Sequence, residues 1–192
     1  MMDPLLLQII SLGLALLFLI AAAHKFSNRV LFRASFEAYE IVPTSLSGLV
    51  ARIIPSLELL LGVGWLAIGI FAIRLEPVTL ISIGLLASYV VAIGVNLRRG
   101  RNYIDCGCSF SNGNASNPGN ASQQISMGLL YRNAFLIAMA AACLIPASDR
   151  GLQLIDIFGL VFSMIALILL YGAFNQLLTN RNAINSWREN SA

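Results

Sequence analysis

Charge is scarce in this chain. Lys, Arg, Asp and Glu together supply 11% of its 192 residues, about half the share of an ordinary soluble domain. With 58% hydrophobic residues and a mean hydropathy of +0.80, the composition excludes a water-solvated globule and reads as an integral membrane protein. Cysteine is equally sparse: three residues are too few for the disulfide framework of a small secreted domain. A single histidine argues against a structural zinc site, which needs four ligands, and no metal is expected. There is no CxxCH haem motif and no internal repeat. The net charge of +3 is modest, and the basic residues cluster beside apolar runs. That pattern orients a protein in a membrane rather than binding nucleic acid.

What the chain does have is long apolar runs. Five stretches, residues 5–23, 49–73, 77–97, 127–145 and 154–174, approach the ~20 residues that a helix needs to span a bilayer. The expected fold is all-α: a polytopic transmembrane bundle of about five spans, or four if the last stretch stays on one side. The transmembrane unit covers residues 1–175, includes a polar loop at about 98–125, and leaves a polar tail at 176–192. The first stretch carries Asp3 and no Lys or Arg at its head, and it is longer than a signal-peptide core. It reads as a permanent helix.

Between the first two spans, Phe32, Phe36 and Tyr39 recur at helical spacing, with Arg29, Arg33, Glu37 and Glu40 on another face. This predicts an amphipathic helix in the lipid interface, stopped by Pro43. Small residues four apart, Gly84 with Ser88, Ala138 with Ala142 and Gly159 with Ser163, predict close helix contacts. With five crossings, one set of loops holds Lys25, Arg29, Arg33, Arg98, Arg99, Arg101, Arg181 and Arg188, and the other only Arg74 and Arg150. The positive-inside rule then puts the N-terminus outside and the cysteine loop and C-terminus in the cytoplasm.

The chemistry gathers at one end of such a bundle. That end collects His24, Lys25, Arg52, Glu58, Asn96, Cys106, Cys108, Arg132 and Asn133. Cys106 and Cys108 flank a single glycine in "DCGC". A disulfide across that spacing closes a strained ring, and strained disulfides are the reducible, exchanging kind. The plainer alternative is two unlinked loop thiols. Glu58 and Arg132 lie inside apolar runs, where ionisable groups are costly and face partners in the bundle; an ion pair between them is expected, as a tether or as part of a site. Asn133 stands beside Arg132. Arg52 is expected to snorkel to head groups, and Pro55 to kink or break its helix. His24 reads either as an interfacial anchor or as a proton carrier beside the cysteines. Cys143 falls near the opposite end and reads as an inert buried thiol. The two glycosylation-like triplets at Asn114 and Asn120 are chance matches if the loop is cytoplasmic.

Taken in order, His24-Lys25, Tyr39 to Pro43, "IPSLELLLG" at 54–62, Asn96, Gly100, "DCGC" and Arg132-Asn133 resemble the MauE family of methylamine utilisation proteins, within the wider DoxX-like membrane group. The resemblance covers roughly residues 5–175. It implies a multi-pass protein of the bacterial inner (cytoplasmic) membrane that supports maturation of a periplasmic amine dehydrogenase, with the disulfide-rich beta subunit of methylamine dehydrogenase as client. It also implies a thioredoxin-like MauD-type partner and makes Cys106 and Cys108 the redox pair, a thiol–disulfide oxidoreductase activity. Two alternatives stay open: a non-catalytic assembly scaffold, and a quinone-linked oxidoreductase subunit of the DoxX type with quinone as cofactor. This chain departs from the family pattern after the cysteines, where Ser109 and a long Asn/Gly-rich insert stand in place of Phe-Gly.

Overall fold

The computed structural model describes residues 2–41, 43–100, 127–148, 150–151 and 153–190. Six helices form among them: α1 (Pro4–Ser27), α2 (Arg29–Ala38), α3 (Thr44–Phe71), α4 (Glu76–Arg98), α5 (Met127–Ala142) and α6 (Leu154–Asn190). No strand forms among the described residues, so the chain is an all-α bundle, as expected. Four of these helices, α1, α3, α4 and the first part of α6, are long and apolar enough to cross a bilayer. The short member is not the expected one. The stretch at 154–174 is a full-length apolar helix, whereas α5 has 16 residues, about 24 Å of helix. It nevertheless runs between the same two ends as α1. Leu129 at its start packs with Ile93, Leu97 and Tyr39. Just beyond its end, the Met2 N–H donates to the Pro146 carbonyl (2.8 Å) and the Ser148 N–H to the Met2 carbonyl (2.9 Å).

Inside lipid the hydrophobic effect does not drive helices together, so close backbone approach and dispersion must. α1 and α3 achieve this with glycine. A Cβ on Gly62 would lie 2.8 Å from Leu19, and one on Gly69 would lie 2.7 Å from Leu12. Both pairs repeat at seven residues, so one seam of α3 receives one seam of α1. Gly64 does the same for Val78 of α4. The small-residue expectation is corrected here: Gly84 has nothing near it, and the close contacts use glycines the four-residue spacing did not select. Gly159 does lie beside α1, 3.7 Å from Leu5.

The interfacial helix forms where expected. It ends at Ala38, ahead of Pro43, where Glu40 turns the chain with a φ of 48°; Pro43 instead caps α3. Glu37 of α2 accepts hydrogen bonds from Arg33 (2.8 Å) and from Ser47 of α3 (2.7 Å). The Arg33 guanidinium beside Glu37 holds its carboxyl below the usual carboxylate range, with Ser47 adding to the effect. Of the kink or break expected at Pro55, the break does not occur: α3 runs through it as one helix, and the neighbouring turns carry the helix past the one missing N–H.

The far end of the bundle is tied by Arg150, which donates to Asp3 (3.4 Å) and to Asp156 (3.0 Å). Asp3 caps α1 through the Leu5 N–H, and Asp156 accepts the Gln153 N–H at the start of α6. The region expected to be a polar tail begins as a continuation of α6, helical to Asn190.

Candidate functional site

Lys25, on the last turn of α1, and Glu58, in the middle of α3, form an ion pair with side chains 3% and 2% exposed. Tyr89 of α4 completes the cluster. Its hydroxyl donates to Glu58 Oε1 (2.7 Å) and accepts from Lys25 Nζ (3.3 Å). The ammonium also lies 5.2 Å from the Phe32 ring centroid and 5.0 Å from that of Tyr89. Three helices and the interfacial α2 therefore converge on one buried charge pair. The chain can build it because Gly62, one turn beyond Glu58, lets α1 come close to α3.

This corrects the sequence expectation that Arg132 would pair with Glu58. α3 packs chiefly on α1, while α5 packs on α4, so the cation presented to the Glu58 carboxylate comes from α1. Arg132 is half-buried on α5, beside the buried Asn133, whose side-chain amide donates to the Leu129 carbonyl (3.0 Å). His24 is half-buried next to Lys25, and its carbonyl accepts the Asn28 N–H (3.0 Å). Arg52 is exposed, as snorkelling requires. Cys106 and Cys108 lie outside the described residues, as do Arg101, Asp105, Asn114 and Asn120.

Lys25 and Tyr89 carry the site, and sequence reasoning gave neither this role. Lys25 read as one more interfacial cation. Tyr89 was invisible inside an apolar run, although it shares a helical stripe with Asn96, seven residues on. Asn96 is fully buried; its Nδ2 donates to the Ala92 carbonyl (3.0 Å), and its Oδ1 is buried with no hydrogen-bond partner among the described residues. From Tyr89 to Asn96 is about 10 Å along α4 toward the cysteine loop.

At the opposite end, Cys143 is buried beside a cavity of about 20 Å³ shared with Leu7, Trp65, Arg74 and Glu76, room for a single water. Leu7 and Lys25 are about 27 Å apart along α1, so Cys143 is remote from the charge cluster. Trp65 donates from Nε1 to the Ser82 hydroxyl (2.8 Å). A shallow groove on α3 is lined by Arg52, Ile53, Ser56, Leu57 and Leu60. Among the described residues, no three His, Cys, Asp or Glu side chains group as metal ligands would.

Residues 3–146 match the family described as methylamine utilisation protein MauE. The chain belongs to that family. It is 34% identical over 151 residues to methylamine utilization protein MauE of Paracoccus versutus, covering 78% of this chain and 75% of the relative. The protein of that name from Paracoccus denitrificans is 32% identical over 142 residues, covering 74% of this chain and 70% of that one. The one from Methylorubrum extorquens is 28% identical over 173 residues, covering 89% and 87%. No solved structure matches. The MauE match includes Lys25, Glu58, Tyr89, Asn96, Cys106, Cys108, Arg132 and Asn133, and stops before α6.

Proposed function

We propose that this MauE-family chain is an accessory membrane protein of methylamine utilisation that passes reducing equivalents through Cys106 and Cys108. The observation that carries the reading is the asymmetry of the bundle. Its buried Lys25–Glu58 pair and the buried amides of Asn96 and Asn133 lie toward the end from which the chain leaves α4 for the "DCGC" segment. A dithiol/disulfide one residue apart exchanges through a mixed disulfide, and the partner is a thioredoxin-like protein of the MauD type. The client is a periplasmic amine dehydrogenase, with the beta subunit of methylamine dehydrogenase first, in a bacterial inner membrane. The excess of basic residues supports a cytoplasmic cysteine loop, and reducing equivalents would then cross the membrane to reach a periplasmic client.

The test is labelling of Cys106 and Cys108 in intact cells with a membrane-impermeant maleimide, with and without reductant, in a Cys143→Ser background. Labelling only after the cells are opened, and only after reduction, supports a redox pair on the cytoplasmic side. Labelling of intact cells only after reduction keeps the exchange chemistry and reverses the orientation. Free thiols under every condition, together with client maturation that survives Cys106→Ser/Cys108→Ser, would leave an assembly scaffold and end the redox reading.

A further inference from the structure

We propose that this chain binds one anionic glycerophospholipid at the basic end of the bundle, with the headgroup phosphate held by Arg33 and Arg52 and an acyl chain laid in the groove on α3. The inference does not depend on the exchange reading above. It starts from Arg52, which is exposed about 12 Å along α3 from Thr44. Its guanidinium has no ion pair or hydrogen-bond partner among the described residues. Arg33 of α2 reaches toward the same face of α3. Its Nε is committed to Glu37 (2.8 Å), but its Nη groups lie over Gly48, within 3.7 and 3.9 Å of where a Cβ would stand. Gly48 and Arg52 are four residues apart, so the two guanidinium groups meet one face of α3 about 6 Å apart in helix rise. Below Arg52 the groove begins. Ile53, Ser56, Leu57 and Leu60 line about 290 Å³ of open space with it, and Ile53 and Leu60 are 52% and 69% exposed. From Arg52 to Leu60 is about 12 Å, and Arg52 stands about 9 Å nearer the α2 side than Glu58. A cation at head-group depth with an apolar channel running from it toward the bilayer centre matches the shape of a phospholipid.

Charge selects the class of lipid. Glu37 offsets one of the two arginines, which leaves one net positive charge, the complement of a single phosphodiester. A zwitterionic headgroup would bring an ammonium as well, and Glu37, the carboxylate beside Arg33, is already held by Arg33 and Ser47. The planar guanidinium fork suits phosphate oxygens. Arg29, exposed one turn before Arg33 on α2, adds to the positive field. Val30 and Leu31 are exposed on α2, as an interfacial helix requires, so α2 holds Arg33 at the level of the head groups. Lys25 takes no part, because Glu58 neutralises it inside the bundle. Arg99, exposed at the end of α4, does not line the groove and serves as the control for diffuse surface charge.

The experiment is native mass spectrometry of the full chain released from detergent micelles that hold equal amounts of phosphatidylglycerol and phosphatidylcholine with identical acyl chains. The wild-type protein should retain phosphatidylglycerol over phosphatidylcholine by about fivefold or more, the weight of one arginine at an anionic surface. Arg52→Gln should bring that ratio close to one, Arg33→Gln should lower it, and Arg99→Gln should leave it where it was. Ser56→Phe fills the groove and keeps every cation, so it should lower the retained phosphatidylglycerol severalfold; a site for free phosphate would not respond. Equal retention of the two lipids by the wild type overturns the proposal. So does an Arg99→Gln loss as large as that of Arg52→Gln, which would reduce the effect to diffuse surface charge. Phosphatidylglycerol retention unchanged in Ser56→Phe overturns the acyl groove and with it the lipid. Circular dichroism checks the helical content of each variant; should Arg52→Gln fail to fold, Arg33→Gln and Ser56→Phe decide.

Discussion

The Lys25–Glu58 pair makes a sharp energetic prediction, because its two members are almost equally buried. Lys25→Met removes the ammonium from the buried Glu58 carboxylate, whose Oε1 keeps the Tyr89 hydroxyl at 2.7 Å. Glu58→Gln leaves an ammonium between two aromatic rings with no anion. Stranding one member of a buried pair costs about 3–5 kcal/mol, whereas replacing both members by neutral groups of similar volume is near neutral. Independent effects would sum to about 6–10 kcal/mol in the double variant. The geometry instead predicts that Lys25→Met/Glu58→Gln costs less than either single change, a coupling of at least about 3 kcal/mol. Reversible unfolding in mixed micelles or bicelles, read as a double-mutant cycle, measures this. A matched cycle on Glu58→Gln/Arg132→Gln should give a smaller coupling, since the cation in contact is Lys25. Additive single changes, or a larger coupling to Arg132, would refute the packing of α1 against α3 described above.

Gly62→Ala should destabilise by about 1–3 kcal/mol by overpacking, because the new methyl meets Leu19 at 2.8 Å and its backbone N at 3.1 Å. Gly84→Ala, with nothing within 4 Å, should be neutral or stabilising by up to about 1 kcal/mol of helix propensity; thermal denaturation in detergent compares the two. The Glu37 carboxyl is held low by Arg33 and Ser47, so its tie between α2 and α3 is fully present above the ordinary carboxylate range and is lost as acid protonates it. Amide exchange in α2 should therefore speed up below about pH 4.5, and Arg33→Ala should move that onset to higher pH. Trp65→Phe removes the bond to Ser82 and should cost about 1 kcal/mol in thermal stability, with no change in thiol exchange.

Most of the architecture was legible because lipid imposes a strong rule. Every backbone polar group must be satisfied within its own segment, so apolar runs of this length have to be helices. The interfacial helix was legible for a related reason: Phe32, Phe36 and Tyr39 form one stripe, and an amphipathic period survives in sequence. Pairing between helices was not legible. Hydropathy is blind to which faces meet, so Glu58 looked equally able to reach a cation on any neighbour. Arg132 stood out by its depth in an apolar run, while Lys25 resembled a boundary residue. The glycine signal was present but read at the wrong period. A four-residue spacing selected Gly84, whereas the α1–α3 seam repeats every seven residues at Gly62 and Gly69.

The burial of Lys25 also changes how the charges of the chain should be counted. A lysine neutralised inside the bundle is not a loop charge, so it drops out of the orientation argument. Seven basic residues, Arg29, Arg33, Arg98, Arg99, Arg101, Arg181 and Arg188, then stand against Arg74 and Arg150. On the minority side, Arg150 is already engaged by Asp3 and Asp156, which leaves Arg74 as the basic residue there outside that clamp. The asymmetry therefore does not rest on Lys25. Lys25 and Asp3 are 22 residues apart on α1, about 33 Å, close to the thickness of the hydrocarbon core. With the Asp3–Arg150–Asp156 clamp at one boundary, the Lys25–Glu58–Tyr89 cluster lies at the inner edge of the other. Phe32 of α2 packs over the ammonium from the interface side. A buried charge pair placed there is insulated from lipid yet within a few turns of helix of the water on the cysteine side.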